Sequence, residues 1–164
     1  MDRRHHTSSV LLPTADTLRL RQFRPGDFER FYEIDQACFE PGVSYSREEL
    51  ARFLAHRNSR TWVVEQRGEI AGFLIANRER PRVLHIVTID VVANWRRRGV
   101  GALLMDAAES WAKEQKLALV GLETAHDNIG AQRFYEGRGY RKVDTVEGYY
   151  ANGAAAWIMV KELC

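Results

Sequence analysis

Arg96-Arg97-Arg98-Gly99-Val100-Gly101-Ala102 is the stretch of this chain best equipped to hold an anion. Three consecutive guanidinium groups bring positive charge to two glycines that lack a Cβ, so a ligand can come close to the backbone. The apolar run Val83 to Val92 precedes it and an amphipathic pattern follows, which reads as strand, loop, helix. A helix starting here turns its unpaired first-turn N–H groups and the positive end of its dipole toward the loop. A phosphate or pyrophosphate suits such a junction. The nucleotide loop ending in Gly-Lys-Ser/Thr is excluded, because Val100-Gly101-Ala102 stands there instead. The Gly-x-Gly-x-x-Gly dinucleotide turn is excluded as well, because Leu104 occupies the place of the third glycine. What remains is Arg-x-x-Gly-x-Gly, as Arg96, Gly99 and Gly101.

A second group of residues lies downstream. Leu122-Glu123 closes an apolar run, Asn128 follows the Glu by five residues, and Tyr135 follows the Asn by seven. Gly139-Tyr140 comes next, and then Gly148-Tyr149-Tyr150-Ala151-Asn152-Gly153. Together with the arginine–glycine loop, these residues closely resemble the signature of the GCN5-related N-acetyltransferases (GNAT). They are especially similar to the RimI-like branch that acetylates N-terminal α-amines. The likeness is specific from about Ile86 to Met159 and general in the first half of the chain. Two positions depart from the family pattern. Ala154 and Ala155 stand where related hairpins carry an acidic pair, and Ala125 stands where an Arg usually follows Leu-Glu-x.

The resemblance implies acetyl-CoA as co-substrate, no metal, and an amine acceptor, foremost a peptide N-terminus. Acyl transfer from a thioester needs a neutral amine, a stabilised oxyanion and a protonated leaving thiolate. By position, Glu123 is then the general base, acting through water, and Tyr135 is the proton donor to the departing sulfur. Backbone groups of Ile89, Asp90 and Val91 pair with the pantetheine arm and the acetyl carbonyl. Arg96, Arg97, Arg98, Gly99, Val100, Gly101 and Ala102 hold the pyrophosphate, and Asn128 contacts the cofactor while capping its helix. Tyr45, Tyr149 and Tyr150 line the acceptor groove, and Glu40 borders it. Taken singly, Glu123 is a solvent-facing strand end, Tyr135 a half-buried helix residue, Asn128 a cap, and the tyrosines ordinary loop and hairpin aromatics. Their joint spacing behind the loop carries the reading. Within the enzymes, a small-molecule amine or a lysine side chain is the second acceptor class. A non-catalytic acyl-CoA-binding module is the alternative outside them.

The elements that must position these residues can be read along the chain. Thr17 to Phe23 alternates as a half-buried strand. Pro25 and Asp27 open a helix whose apolar stripe runs through Cys38, a small core residue rather than a nucleophile. Ser46-Arg47-Glu48-Glu49 is a capping box for a second helix. Two strands, Thr61–Glu65 and Ile70–Ala76, are joined by a hairpin turn, and Arg78 to Arg82 makes the next turn. Val83 to Val92 suits a central strand covered on both faces. His85 and Asp90 interrupt it: His85 reads as a hydrogen-bonded core or groove residue, and a buried Asp90 needs a partner. Val100, Leu103, Leu104, Ala107, Ala108 and Trp111 form a clean helical stripe, with Asp106, Glu109, Lys113 and Glu114 on the other side. Leu117–Glu123 is a fifth strand, Asn128–Tyr135 a short helix, and Tyr140–Val146 with Ala154–Val160 a closing hairpin. The expectation is a mixed α/β (α+β) fold of the GNAT type. Its sheet is mainly antiparallel, with six or seven strands and about four helices, and it splays between strands four and five.

Length and composition set the outer limits. A chain of 164 residues accommodates one domain with its own core, expected over residues 17–164 behind a flexible tail at 1–16. His5 and His6 in that tail lack a second ligand pair, so they read as solvated rather than metal-binding. The net charge is +2, although Arg accounts for 20 of the 24 basic residues, so there is no global drive toward nucleic acid. Only two cysteines, Cys38 and Cys164, are present, which excludes a disulfide framework and fits a reducing cytoplasm. No apolar run approaches the ~20 residues that span a bilayer, so no membrane is expected. The expected assembly is a monomer or homodimer.

Overall fold

The computed structural model describes residues 17–163. The expected flexible tail, with His5 and His6, lies outside the described residues. Within them, seven strands form one sheet in the order β1-β2-β3-β4-β5-β7-β6, in which the β4–β5 pair is parallel and every other pair antiparallel. The strands are β1 Arg19–Gln22, β2 Ser59–Gln66, β3 Glu69–Arg80, β4 Val83–Val91, β5 Leu119–Ala125, β6 Arg141–Val146 and β7 Ala156–Glu162. The α-helices that accompany them are α1 Phe28–Cys38, α2 Arg47–Ala55, α3 Val100–Glu114 and α4 Ile129–Gly137. The mixed, mainly antiparallel architecture is therefore the one expected.

The helices divide between the two faces of the sheet. On one face, Phe31 and Ile34 of α1 and Leu50 of α2 bury against Val63, Phe73 and Ile75, with the Phe31 and Phe73 rings stacked at 3.8 Å. On the other, Leu104, Met105, Ala108 and Ala112 of α3 pack on Val64, Leu74, Leu84 and Ile86. Tyr135 of α4 joins this second core. The capping box that opens α2 forms as expected: Ser46 Oγ accepts from the Glu49 amide, and Glu49 Oε1 accepts from the Ser46 amide.

Two irregularities of β4 shape the centre of the molecule. First, Ile75 pairs with Thr88 and Ala76 with Ile86, so Val87 is an extra residue, a β-bulge. The bulge reverses the alternation. Leu84, Ile86, Ile89 and Val91 pack with the α3 core, while Val87 joins the α1 core. Second, β4 pairs with β5 only from Val83↔Leu119 to His85↔Gly121. Beyond that point the strands diverge, which is the expected splay, and the β4 edge from Ile86 onward faces a gap rather than a neighbouring strand.

Several boundaries differ from the sequence reading. β3 continues through Arg80 into the stretch read as a turn, because Arg80 still pairs with Val83. β5 runs to Ala125 because β7 pairs with it that far, so Glu123 lies within the strand rather than at its end. Glu109, read as solvent-facing, is buried on α3. Its carboxylate takes hydrogen bonds from Lys161 Nζ at 2.6 Å and from Arg138. The α4–β6 turn and β7 cover this flank of α3, which an amphipathic pattern within one helix cannot reveal.

Candidate active site

A cavity of about 690 Å³ runs from the start of α3 into the gap between β4 and β5. Its entrance is made by the arginine–glycine loop. After a 3₁₀ turn at Ala93–Trp95, Arg97 and Gly99 both adopt positive φ, at 63° and 84°. Gly99 is the N-cap of α3 and supplies no capping side chain. The first-turn amides of α3, from Val100 to Ala102, therefore have no intrahelical acceptor and lie at the cavity. A helix start left uncapped beside arginines is a fitting seat for a diphosphate. Arg96, Arg97, Gly99, Val100, Gly101 and Ala102 all line the cavity. Arg98 does not; its guanidinium stacks over Trp95 at 5.2 Å.

Further in, Ile89 and Val91 line the cavity wall, whereas the Asp90 side chain turns away from it and is fully buried. On the opposite wall stand Glu123 of β5, Asn128 and Tyr135. Local structure accounts for their placement. Asn128 Oδ1 accepts from the Ala131 amide and starts α4. Gln132 Nε2, buried one turn later, donates to the carbonyls of Ala125 and His126 at 3.1 and 3.0 Å, tying α4 to the end of β5. Tyr135 lies three residues beyond Gln132 and so shares its face of the helix. The Tyr135 ring sits edge-on to Phe134 and Tyr140, at centroid distances of 5.3 and 5.7 Å. Burial pushes its phenol well above the ordinary tyrosine range. The phenol therefore stays protonated.

Glu123 has a partner that the sequence reading did not assign. His85 Nε2 lies 2.6 Å from Glu123 Oε2. Parallel pairing of His85 with Gly121 puts Glu123, two residues on, on the same face as the imidazole. Glu123 lines the cavity and His85 does not, so the carboxylate is presented to a ligand and the imidazole stands behind it. Only the β4–β5 register could have revealed this pair, since the two residues are 38 positions apart.

The loop between α1 and α2 contributes Phe39, Val43 and Tyr45 to the cavity wall. Tyr45 of this loop lines the cavity and is tied to two elements. Its N–H donates to Asp35 Oδ2 of α1 at 2.7 Å, and its hydroxyl donates to the Val87 carbonyl of β4 at 3.1 Å. Tyr150 also lines the cavity. Tyr149 packs edge-on against it at 4.8 Å but is 44% exposed and outside the cavity wall. Glu40 is exposed, and its carbonyl closes the turn by accepting from Val43 and Ser44. Cys38, read as a core residue, also reaches the cavity and donates to the Val91 carbonyl.

Among the described residues, no helix is long and apolar enough to cross a membrane, and no group of three His, Cys, Asp or Glu residues is placed to hold a metal ion.

Comparison with known proteins agrees with this geometry. Residues 28–140 match the family described as Acetyltransferase (GNAT) family. The chain is 26% identical over 157 residues to an N-alpha-acetyltransferase of Sulfurisphaera tokodaii, covering 88% of this chain and 93% of that protein. Among solved structures, Ard1 from Thermoplasma volcanium is 27% identical and superposes with a TM-score of 0.82 over 90% of this chain and 98% of that one. The ribosomal-protein-S18-alanine N-acetyltransferase of Escherichia coli shares the fold at 21% identity, with a TM-score of 0.79 over 89% of this chain and 94% of that one.

Proposed function

Because the chain belongs to the GNAT family of acetyltransferases, we propose that it moves the acetyl group of acetyl-CoA to the free α-amine of a protein or peptide N-terminus. One observation carries the reading. A single cavity connects the uncapped start of α3 with both Glu123 and Tyr135. The relative named N-alpha-acetyltransferase supports the acceptor class.

The loop from Arg96 to Ala102 would hold the diphosphate through first-turn N–H groups and guanidinium charge. The edge of β4 that β5 leaves unpaired offers backbone groups of Ile89, Asp90 and Val91 to the pantetheine arm. Acetyl-CoA supplies the electrophilic thioester carbonyl. As the amine nitrogen bonds to the carbonyl carbon, Glu123 takes the proton the nitrogen releases, through water. As the carbon–sulfur bond breaks, Tyr135 donates its phenolic proton to the sulfur, and both groups then re-equilibrate with solvent. An α-amine, with a pKa of about 8, loses its proton far more readily than lysine at about 10.4. A single carboxylate in contact with the cavity therefore matches the α-amine better. Tyr45, Tyr149 and Tyr150 would frame the first residues of the acceptor.

Release of free CoA from acetyl-CoA, measured with three acceptor sets, tests this. Peptides with free N-termini should give turnover. N-blocked peptides containing lysine, and polyamines or aminoglycosides, should give little. Turnover confined to the latter sets would move the acceptor class, and none with any amine would reduce the protein to an acyl-CoA-binding module.

A further inference from the structure

We propose that Asp35 of α1 and Asp90 of β4 share one proton, and that this carboxyl pair clamps the acceptor loop onto the strand that receives the acetyl group. The inference rests on the acetyl-transfer reading above and assigns two positioning residues to it.

Three observations lead there. Neither Asp35 nor Asp90 exposes any surface, and a charge withdrawn from water needs a partner. The bulge at Val87 turns Asp90 toward α1, where its carboxyl comes up beside that of Asp35. The other oxygens are used. Thr88 Oγ1 donates to Asp90 Oδ1 at 2.5 Å, and the Tyr45 amide donates to Asp35 Oδ2 at 2.7 Å. Asp35 Oδ1 and Asp90 Oδ2 meet no other donor among the described residues. Two facing carboxylate oxygens attract only if a proton lies between them. Burial raises both carboxyls above the usual carboxylate range, and the neighbouring Asp35 adds to the effect on Asp90, so the pair holds one proton between them.

The other described groups packed around the pair do not supply a neutralising charge at either oxygen. They are Cys38 on α1, Tyr45 in the loop, Glu49 on α2 and Tyr135 on α4. Arg96 reaches only as far as Cys38 and the Val91 carbonyl. Glu49 adds a further negative charge on the Asp35 side.

The consequence for function comes through Tyr45. Its backbone is held by Asp35 and its hydroxyl by the Val87 carbonyl, so the loop is pinned to α1 and to the β4 bulge at once. With the proton in place, α1 is in turn joined to β4 through Asp90. Once that proton is lost, two buried carboxylates face each other and the clamp opens, loosening the acceptor wall while the diphosphate seat at α3 is untouched.

Asp90→Asn keeps a donor toward Asp35 that cannot ionise, and Asp90→Ala removes it. The Michaelis constant for the acceptor peptide, compared between wild type and Asp90→Asn, should diverge as pH rises. Wild type should worsen by about tenfold relative to the variant, the factor that corresponds to losing one hydrogen bond of about 1.4 kcal/mol. Asp90→Ala should show the weakened value at every pH, and the constant for acetyl-CoA should not follow these changes. A wild-type-to-Asn ratio that stays flat with pH would overturn the proposal. A carbon-13 titration of the aspartates in the wild-type protein is the second measurement. One carboxyl of the pair should titrate far above the others; two ordinary titrations would sink the shared proton. That titration decides the pair whether or not an amine acceptor has been identified, so failure of the clamp and failure of the transfer reading are separate results.

Discussion

His85 Nε2 and Glu123 Oε2 lie 2.6 Å apart across the seam where β4 and β5 stop pairing. The carboxylate faces the cavity and the imidazole backs it, which assigns unequal roles. A carboxylate at the edge of a cavity can rotate away from a reacting nitrogen; an N–H donated by His85 restrains it. If Glu123 takes the proton of the amine and His85 only positions it, Glu123→Gln should lower kcat/KM by about 10²–10⁴, the usual range for a general base. His85→Gln should cost about tenfold, the worth of one hydrogen bond to the base. The double variant should be no slower than Glu123→Gln alone, because a positioning residue has nothing left to position. Steady-state kinetics at saturating acetyl-CoA measure all three, and multiplicative losses would instead mean independent roles.

Tyr135 raises a question of pH. Burial is the main reason its phenol is held well above the ordinary value. A raised value in the folded protein means that the proton is retained as pH rises, so the phenol stays protonated through the neutral and mildly alkaline range, as the proposed donor role requires. Tyr135→Phe should therefore lower kcat by about 10²-fold with the same ratio to wild type at every pH from about 6 to 9. The unfolding temperature should change little, since Phe keeps the ring contacts with Phe134 and Tyr140. A ratio that closes as pH rises would show that the phenol ionises within this range.

How far the sequence reaches depends on which of these features are local. The loop from Arg96 to Ala102, the α3 stripe, the Ser46–Glu49 capping box and the Asn128 cap depend on residues within a turn or two of one another, and spacing alone exposes them. The His85–Glu123 pair depends on the β4–β5 register. The burial of Glu109 depends on β7 and the α4–β6 turn supplying Lys161 and Arg138. The Asp35–Asp90 contact depends on one extra residue in β4, because without the bulge at Val87 the Asp90 side chain would face the α3 side. An apolar run such as Val83 to Val92 announces a central strand but carries no mark of where its alternation reverses. Asp90 is legible as a residue in need of a partner; which partner it has is a fact of tertiary structure.

Gly72 is the residue whose spacing tells least and whose position demands most. It lies on β3 opposite Val91, where the β4 strand hands over to the loop before α3. A Cβ added there would come within 2.7 Å of the Asp90 carbonyl oxygen and 2.9 Å of Val100 Cγ1. The first is backbone and cannot give way cheaply, so β4 or the start of α3 must shift. Gly72→Ala should destabilise the protein by about 2 kcal/mol, within the ~1–3 kcal/mol range for overpacking a core. For a chain of this size that lowers the unfolding temperature by about 4–8 °C. Because the displaced atoms belong to the β4 edge and to the first residue of α3, the Michaelis constant for acetyl-CoA should also rise, with the acceptor constant less affected. Gly68→Ala provides the contrast. Gly68 has φ +77° in the β2–β3 turn, and a Cβ there meets nothing within 4 Å. It should cost about 1 kcal/mol from the left-handed backbone alone and leave both constants unchanged. Thermal unfolding and steady-state kinetics of the two variants separate local turn strain from displacement of the β4 edge and the α3 start, the proposed cofactor seat; equal effects on the acetyl-CoA constant would remove Gly72 from its support.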